Sequence, residues 1–192
     1  MSKFYREACV FPRTDGLTGL AVSARRIPMP AKHERDVRRS RDKLRELRVS
    51  RIVAICGLED ATSLEHHHAL YEELGIAWHF FPMEDTEDEP VPATLLPWLL
   101  TVYGQHDPAS GIILLHCMSG VNRSMLAAAL LLWHTTPAAA ELWPSTNTHD
   151  GEHVLIAWMD EHNRAQRKSP YMLTNTRFRR YIADTCRPTN DA

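Results

Sequence analysis

The run His116-Cys117-Met118-Ser119-Gly120-Val121-Asn122-Arg123-Ser124 gathers a thiol, a guanidinium, a glycine and two hydroxyls within nine residues. It lies between two apolar stretches, Gly111 to Leu115 and Met125 to Trp133, which read as a buried strand and a buried helix. A loop that joins a strand to a helix amino terminus turns its amide N–H groups toward one point. The helix dipole adds positive potential there, so a phosphate-sized anion can be held. Cys117 at the strand end sits in that field, which favours the thiolate, the nucleophilic form of the side chain. Arg123, six positions on, can fold back across the loop and grip two phosphate oxygens in a planar clamp that Lys cannot copy. Gly120 lets the backbone turn its amides inward, and Met118, Ser119, Val121 and Asn122 complete the phosphate-binding loop. Ser124 can cap the helix and lend its hydroxyl to the Cys117 sulfur when that sulfur must leave. His116 reads as a neutral ring that shapes the loop rather than as a base.

A thiolate that attacks phosphorus needs an acid to protonate the departing oxygen and later a base for the hydrolytic water. The candidates are Glu84, Asp85, Glu87, Asp88 and Glu89, clustered in one acidic loop. No metal or cofactor is expected, because the arginine clamp and the loop amides supply the positive charge. The run His66-His67-His68 does not change this, since consecutive residues point around a helix and cannot chelate one ion together. A Cys followed six residues later by Arg is common by chance; the His before it, the Gly between and the Ser after make the combination rare.

Elements must bring these groups together, and the composition permits it. The 192 residues are 44% hydrophobic and 24% charged, suited to one soluble domain spanning 1–192. The longest apolar run, Met125 to Trp133, is half of the roughly 18 residues that a membrane span needs. The amino terminus has no apolar signal-peptide core and the carboxyl terminus no lipidation box, which points to the cytoplasm or nucleus. Four cysteines (Cys9, Cys56, Cys117, Cys186) without Cys-x-x-Cys spacing suit neither a disulfide scaffold nor a zinc site. The net charge of -2 hides segregation. Arg25 to Arg51 carries eleven basic against four acidic residues, Ile52 to Pro92 ten acidic and no basic, and the stretch from Arg164 onward seven basic against two acidic. Solvated helix faces account for such runs, and a track for an anionic partner is the sharper reading.

Periodicity and breakers give strands at Gly19 to Ile27, Arg51 to Cys56, Ile76 to Phe81 and Gly111 to Leu115. Helices are expected at Lys32 to Leu47, Ser63 to Leu74, Pro92 to Gln105 and Met125 to Trp133. The alternation predicts a three-layer α/β domain, a central, mostly parallel sheet flanked by helices, with the phosphate loop at the carboxyl end of the central strand.

The loop resembles the signature of the cysteine-dependent protein phosphatases, the protein tyrosine and dual-specificity superfamily, at His116, Cys117, Gly120, Arg123 and Ser124. Within it the chain is most similar to the cyclin-dependent-kinase-associated phosphatases, through Asp36-Val37-Arg38-Arg39, the strand Arg51 to Cys56, and Phe81-Pro82-Met83-Glu84-Asp85. The resemblance covers a catalytic core over about 17–135, with Glu152 to Arg164 and Asn175 to Arg187 matching the fold's two closing helices in outline, and it implies the protein tyrosine/dual-specificity phosphatase-like fold, a phosphocysteine intermediate, and Asp85 as general acid from its loop about thirty residues before the cysteine. It also implies phosphoserine, phosphothreonine and phosphotyrosine in proteins as substrates, with a protein kinase as candidate partner. Asn122 stands where kinase-associated members usually carry Gly and many dual-specificity members Ser. Asn there resembles the RNA 5′-triphosphatase branch, which is the alternative enzyme. A phosphoprotein-binding scaffold without turnover is the alternative outside catalysis, although a binder needs Arg123 and not Cys117. Similar phosphatases also carry a cysteine at the end of the strand matching Cys56. This makes Cys56 a candidate redox partner of Cys117, able to trap its sulfenic acid as a disulfide, provided the α-carbons lie within about 7 Å.

Overall fold

The computed structural model describes residues 8–11, 20–24, 34–58, 68–137, 139–143, 153–167 and 172–187. Expected element ends at 19, 25–27, 32–33, 63–67 and 152, with His66 and His67 among them, lie outside the described residues. Five strands form one sheet: β1 (Cys9–Phe11), β2 (Leu20–Ala24), β3 (Val49–Cys56), β4 (Ala77–Pro82) and β5 (Ile112–Cys117), in the order β1-β2-β5-β3-β4. β2, β5, β3 and β4 run parallel, and only β1 is antiparallel to its neighbour. β5 is the central strand, as its apolar run implies, but it continues past Leu115 through His116 and Cys117. Both added residues are fully buried, so the strand outlasts the hydrophobic pattern that reveals it.

The helices are α1 (Glu34–Glu46), α2 (His68–Glu73), α3 (Leu95–Gly104), α4 (Arg123–Thr135), the single turn α5 (Ala139–Leu142), α6 (Val154–Arg167) and α7 (Thr176–Thr185). Side-chain alternation along the strands splits the core in two. Val53, Ile55, Ile113 and Leu115 face α3, α4, α6 and α7, whereas Ala21, Ile52 and Leu114 face Leu44 of α1 and Leu70 and Tyr71 of α2. α4 has no polar face from Arg123 to Trp133 and is buried along that length. Its Leu130, Leu131 and Leu132 are at most 1% exposed, each worth about 1.5–3 kcal/mol in apolar burial. A helix this enclosed fixes the loop that opens it.

At the outer edge, the Val10 N–H donates to Gln166 Oε1 at 2.8 Å and the Val10 carbonyl accepts from Gln166 Nε2 at 2.7 Å. β1, too short to be legible in the sequence, is thereby tied to α6. No helix among the described residues is long and apolar enough to cross a membrane.

Candidate active site

β5 carries Cys117 to the carboxyl edge of the sheet, and the chain turns through residues 118–122 into α4. The Cys117 Sγ accepts the Gly120 N–H at 3.2 Å and lies 3.3 Å from the Ser124 hydroxyl. Gly120 has φ 64°, the left-handed conformation that turns its N–H back on the sulfur and that glycine adopts without steric cost. Ser124 lies inside the first turn of α4 and does not cap it. The N-cap position belongs to Asn122, whose side chain makes no capping bond. The Ser124 hydroxyl is thus directed to the sulfur alone of the two roles expected of it.

Arg123 is buried, and its Nη1 donates to the Met83 carbonyl at 3.0 Å. Its Nε is also buried and has no protein acceptor among the described residues. A desolvated guanidinium with an unused donor is suited to an anion, because an orphaned donor in a dry site costs more than one in water. His116 is fully buried, and alternation turns it to the sheet face opposite Cys117.

The acidic loop is anchored at Met83. The Met83 N–H donates to the Cys56 carbonyl at 2.9 Å while its own carbonyl receives Arg123, so one residue joins the end of β3 to the phosphate loop. Beyond it Glu84 passes over Gly57, its carboxylate 2.1 Å from where a β-carbon on that glycine would stand. Of the five acidic residues of this loop it is Asp85 that hydrogen-bonds the phosphate loop. Both its oxygens accept from Asn122 Nδ2 at 3.1 Å, and Oδ1 also accepts from Asn175 Nδ2 at 3.1 Å. Glu87 receives the Thr176 N–H at 2.9 Å, the Thr176 hydroxyl at 2.8 Å and the Arg177 N–H at 3.2 Å, at the amino terminus of α7. The Thr176 hydroxyl bond, ahead of the backbone bonds, holds its carboxyl below the usual carboxylate range. Asp88 and Glu89 are exposed.

The segment before α7 is the part of the site that sequence reasoning missed. The Leu173 N–H donates to the Val121 carbonyl at 2.8 Å, and the Thr174 hydroxyl and Asn175 N–H both donate to Asn122 Oδ1 at 3.2 Å. The available signal was Asn175 itself, a good N-cap residue at the expected start of a helix. It caps α7 through Oδ1, which accepts the Phe178 N–H at 3.1 Å.

Cys56 ends the strand next to the one that carries Cys117, and both cysteines are free and buried. Their strands are neighbours, but the register runs Val53↔Leu115 and Ala54↔His116, so Ile55 stands opposite Cys117 and Cys56 one position beyond. Alternation then sends its side chain to the other face, where it acts electrostatically on the buried Tyr71. Bridging the two sulfurs would require a strand end to turn over.

No protein-family model and no curated protein matches the chain. Solved structures share its fold. A kinase associated phosphatase with serine in place of its catalytic-site cysteine is 16% identical, with 94% of each chain covered and a TM-score of 0.61. OH1 from the Orf virus, a tyrosine phosphatase with triple substrate specificity, is 17% identical over 87% of this chain and 82% of its own, with a TM-score of 0.53. Human DUSP28 is 14% identical over 91% and 92%, with a TM-score of 0.51. The fold is therefore the expected one, a mostly parallel sheet between helix layers as in the tyrosine and dual-specificity phosphatases.

Proposed function

We propose that the protein is a cysteine-dependent phosphatase that hydrolyses phosphomonoesters on proteins through a phosphocysteine intermediate. The observation that carries this reading is the Cys117 sulfur, met by the Gly120 N–H and the Ser124 hydroxyl, with the buried Arg123 six residues on at the start of α4. A structural cysteine needs none of these groups, whereas a sulfur that bonds to phosphorus and later leaves needs all of them.

In the first half-reaction the Cys117 thiolate attacks phosphorus. An S–P bond forms, the P–O ester bond breaks, and Asp85 gives its proton to the departing hydroxyl. Arg123 and the amides of residues 118–122 bear the charge of the equatorial oxygens, where most of the stabilisation in phosphoryl transfer lies. In the second half-reaction Asp85 takes a proton from water as the water oxygen attacks phosphorus. The S–P bond breaks, inorganic phosphate leaves, and the Ser124 hydroxyl donates to the returning thiolate. The substrates are phosphoserine, phosphothreonine and phosphotyrosine in proteins, with a phosphorylated kinase a candidate by likeness to the kinase associated phosphatase. Asn122, the residue that suggested an RNA 5′-triphosphatase, has its side chain on Asp85, which gives it a use without RNA.

The test is a panel of phosphopeptides and 5′-triphosphorylated RNA without added metal, with acid-quenched mass spectrometry for phosphate on Cys117. Turnover of the peptides with labelled Cys117 is the expected result. Binding without turnover, or turnover of RNA alone, would overturn it.

A further inference from the structure

We propose that Asn122 and Asn175 are positioning residues that hold the general acid over the phosphate loop, Asn122 from the loop itself and Asn175 from the closing helix. The inference rests on the phosphatase reading and extends it to two side chains that touch neither the sulfur nor the clamp.

The hydrogen-bond network orients both amides. Asn122 Oδ1 is occupied by two donors, the Thr174 hydroxyl and the Asn175 N–H. Its Nδ2 must therefore be the atom that straddles the Asp85 carboxyl, and flipping the amide would set donors against donors and oxygen against oxygen. Asn175 Oδ1 is likewise committed to the Phe178 N–H at the start of α7. That leaves its Nδ2 for Asp85 Oδ1 and the Thr86 carbonyl, each at 3.1 Å. Asn175 is only 4% exposed, so this geometry is shielded from water. Each asparagine thus has its acceptor end used by backbone or hydroxyl donors and its donor end aimed at one acid.

Glycine at position 122 has no side chain, and serine ends in a hydroxyl one atom nearer the backbone, with no N–H₂ to straddle the same carboxyl. Asparagine there lets the residue that precedes the clamp arginine also reach the acid. Met83 fixes the near end of the acidic loop and Glu87 the far end, so Asp85 lies between two tethers with two amides on its carboxyl. A general acid displaced by about 1 Å from the leaving oxygen can lose on the order of a hundredfold in rate.

The test uses a leaving-group series, from 4-nitrophenyl phosphate to a phosphothreonine peptide. A proton donor matters little for the first and greatly for the second. Asn122→Ala and Asn175→Ala should each lower the ratio of kcat on the peptide to kcat on the nitrophenyl ester by about 10- to 100-fold. In an Asp85→Ala background the same substitutions should lower it by less than about threefold, because no acid is left to position. Asn175→Asp separates capping from positioning. It keeps the cap acceptor while replacing the donor that faces Asp85, so the fold should hold and the ratio should still fall. Circular dichroism and melting temperature report folding for every variant. Equal losses across the series, undiminished in the Asp85→Ala background, would overturn the proposal and leave both asparagines as structural. A wild-type protein that turns over neither ester and forms no phosphocysteine would instead overturn the phosphatase reading beneath it.

Discussion

The phosphate loop and the acidic loop face each other across the site and are held by opposite means. Cys117, Gly120 and Ser124 are fixed by their own neighbours in the chain, a central strand on one side and an enclosed helix on the other, with Gly120 and Ser124 folded onto the cysteine that precedes them, and residues 121–123 of this loop reach distant partners. Residues 83–87 are fixed by strangers: the end of β3, Arg123, and a segment about ninety positions later at the start of α7. The proposed nucleophile is therefore preorganised by local structure, and the proposed acid by tertiary structure alone. A lesion in the first loop should act on chemistry directly. One in the second should act through position, and only on substrates that need the acid.

The largest expected effect lies in the phosphate loop. Cys117→Ser should abolish turnover on every substrate while leaving the fold, because a hydroxyl is not ionised near neutral pH. Steady-state assays that find activity within about tenfold of wild type would break the mechanism. Arg123→Lys should fail nearly as badly, since a point charge cannot make the fork.

Asp85→Ala comes next, with a loss of about two to four orders of magnitude on alkyl phosphates and a milder one on good leaving groups. Asp88→Ala and Glu84→Ala serve as controls. If either loses more than Asp85→Ala, the acid is misassigned, although the contrast between the loops survives.

Glu87 gives a smaller effect with a definite sign. Its bonds to Thr176 and Arg177 hold its carboxyl below the ordinary 4.5 in the folded protein. A depressed pKa contributes stability that is present above the unfolded value and lost as pH falls through the folded one. Glu87→Gln should therefore melt below wild type at pH 7, and the gap should close as the buffer is taken below about 4.5. A gap that stays constant down to pH 3 would mean that the ionised form is not what clasps α7.

The smallest effect is expected at Cys56. With its side chain on the far face of the sheet, Cys56→Ser should recover from mild peroxide on addition of thiol to the same extent as wild type. Permanent loss in the variant would show that β3 or β5 turns over at its end, and the phosphate loop would then be less rigid than its contacts imply.

The same contrast decides what was legible in the sequence. The strand, loop and helix around Cys117 are contiguous, so residue spacing carries their geometry; Cys117, Gly120 and Ser124 meet as expected apart from the cap, and the guanidinium of Arg123 is buried against the Met83 carbonyl. β5 ran two residues past its apolar pattern because His116 and Cys117 are buried without being aliphatic. Asp85 could be nominated from its position after a strand, but its partners could not. Nothing in Asn175 marks it as facing residue 85 rather than solvent, and pairing at a separation of ninety residues leaves no periodic trace. β1 escaped notice because three residues are too few to show alternation. The strand of Cys56 is legible in the sequence, but the single step of register that decides which face its side chain takes is not.

The carboxamide of Gln166 has a further consequence. An outermost strand presents unpaired N–H and C=O groups that can template pairing with another chain. At Val10, midway along β1, both groups are already taken by one side chain that copies the donor and acceptor of a peptide unit. A second molecule seeking to extend the sheet on this side would have to displace α6 first. The bond pair that fastens a three-residue strand thereby also protects the protein against self-association along that edge.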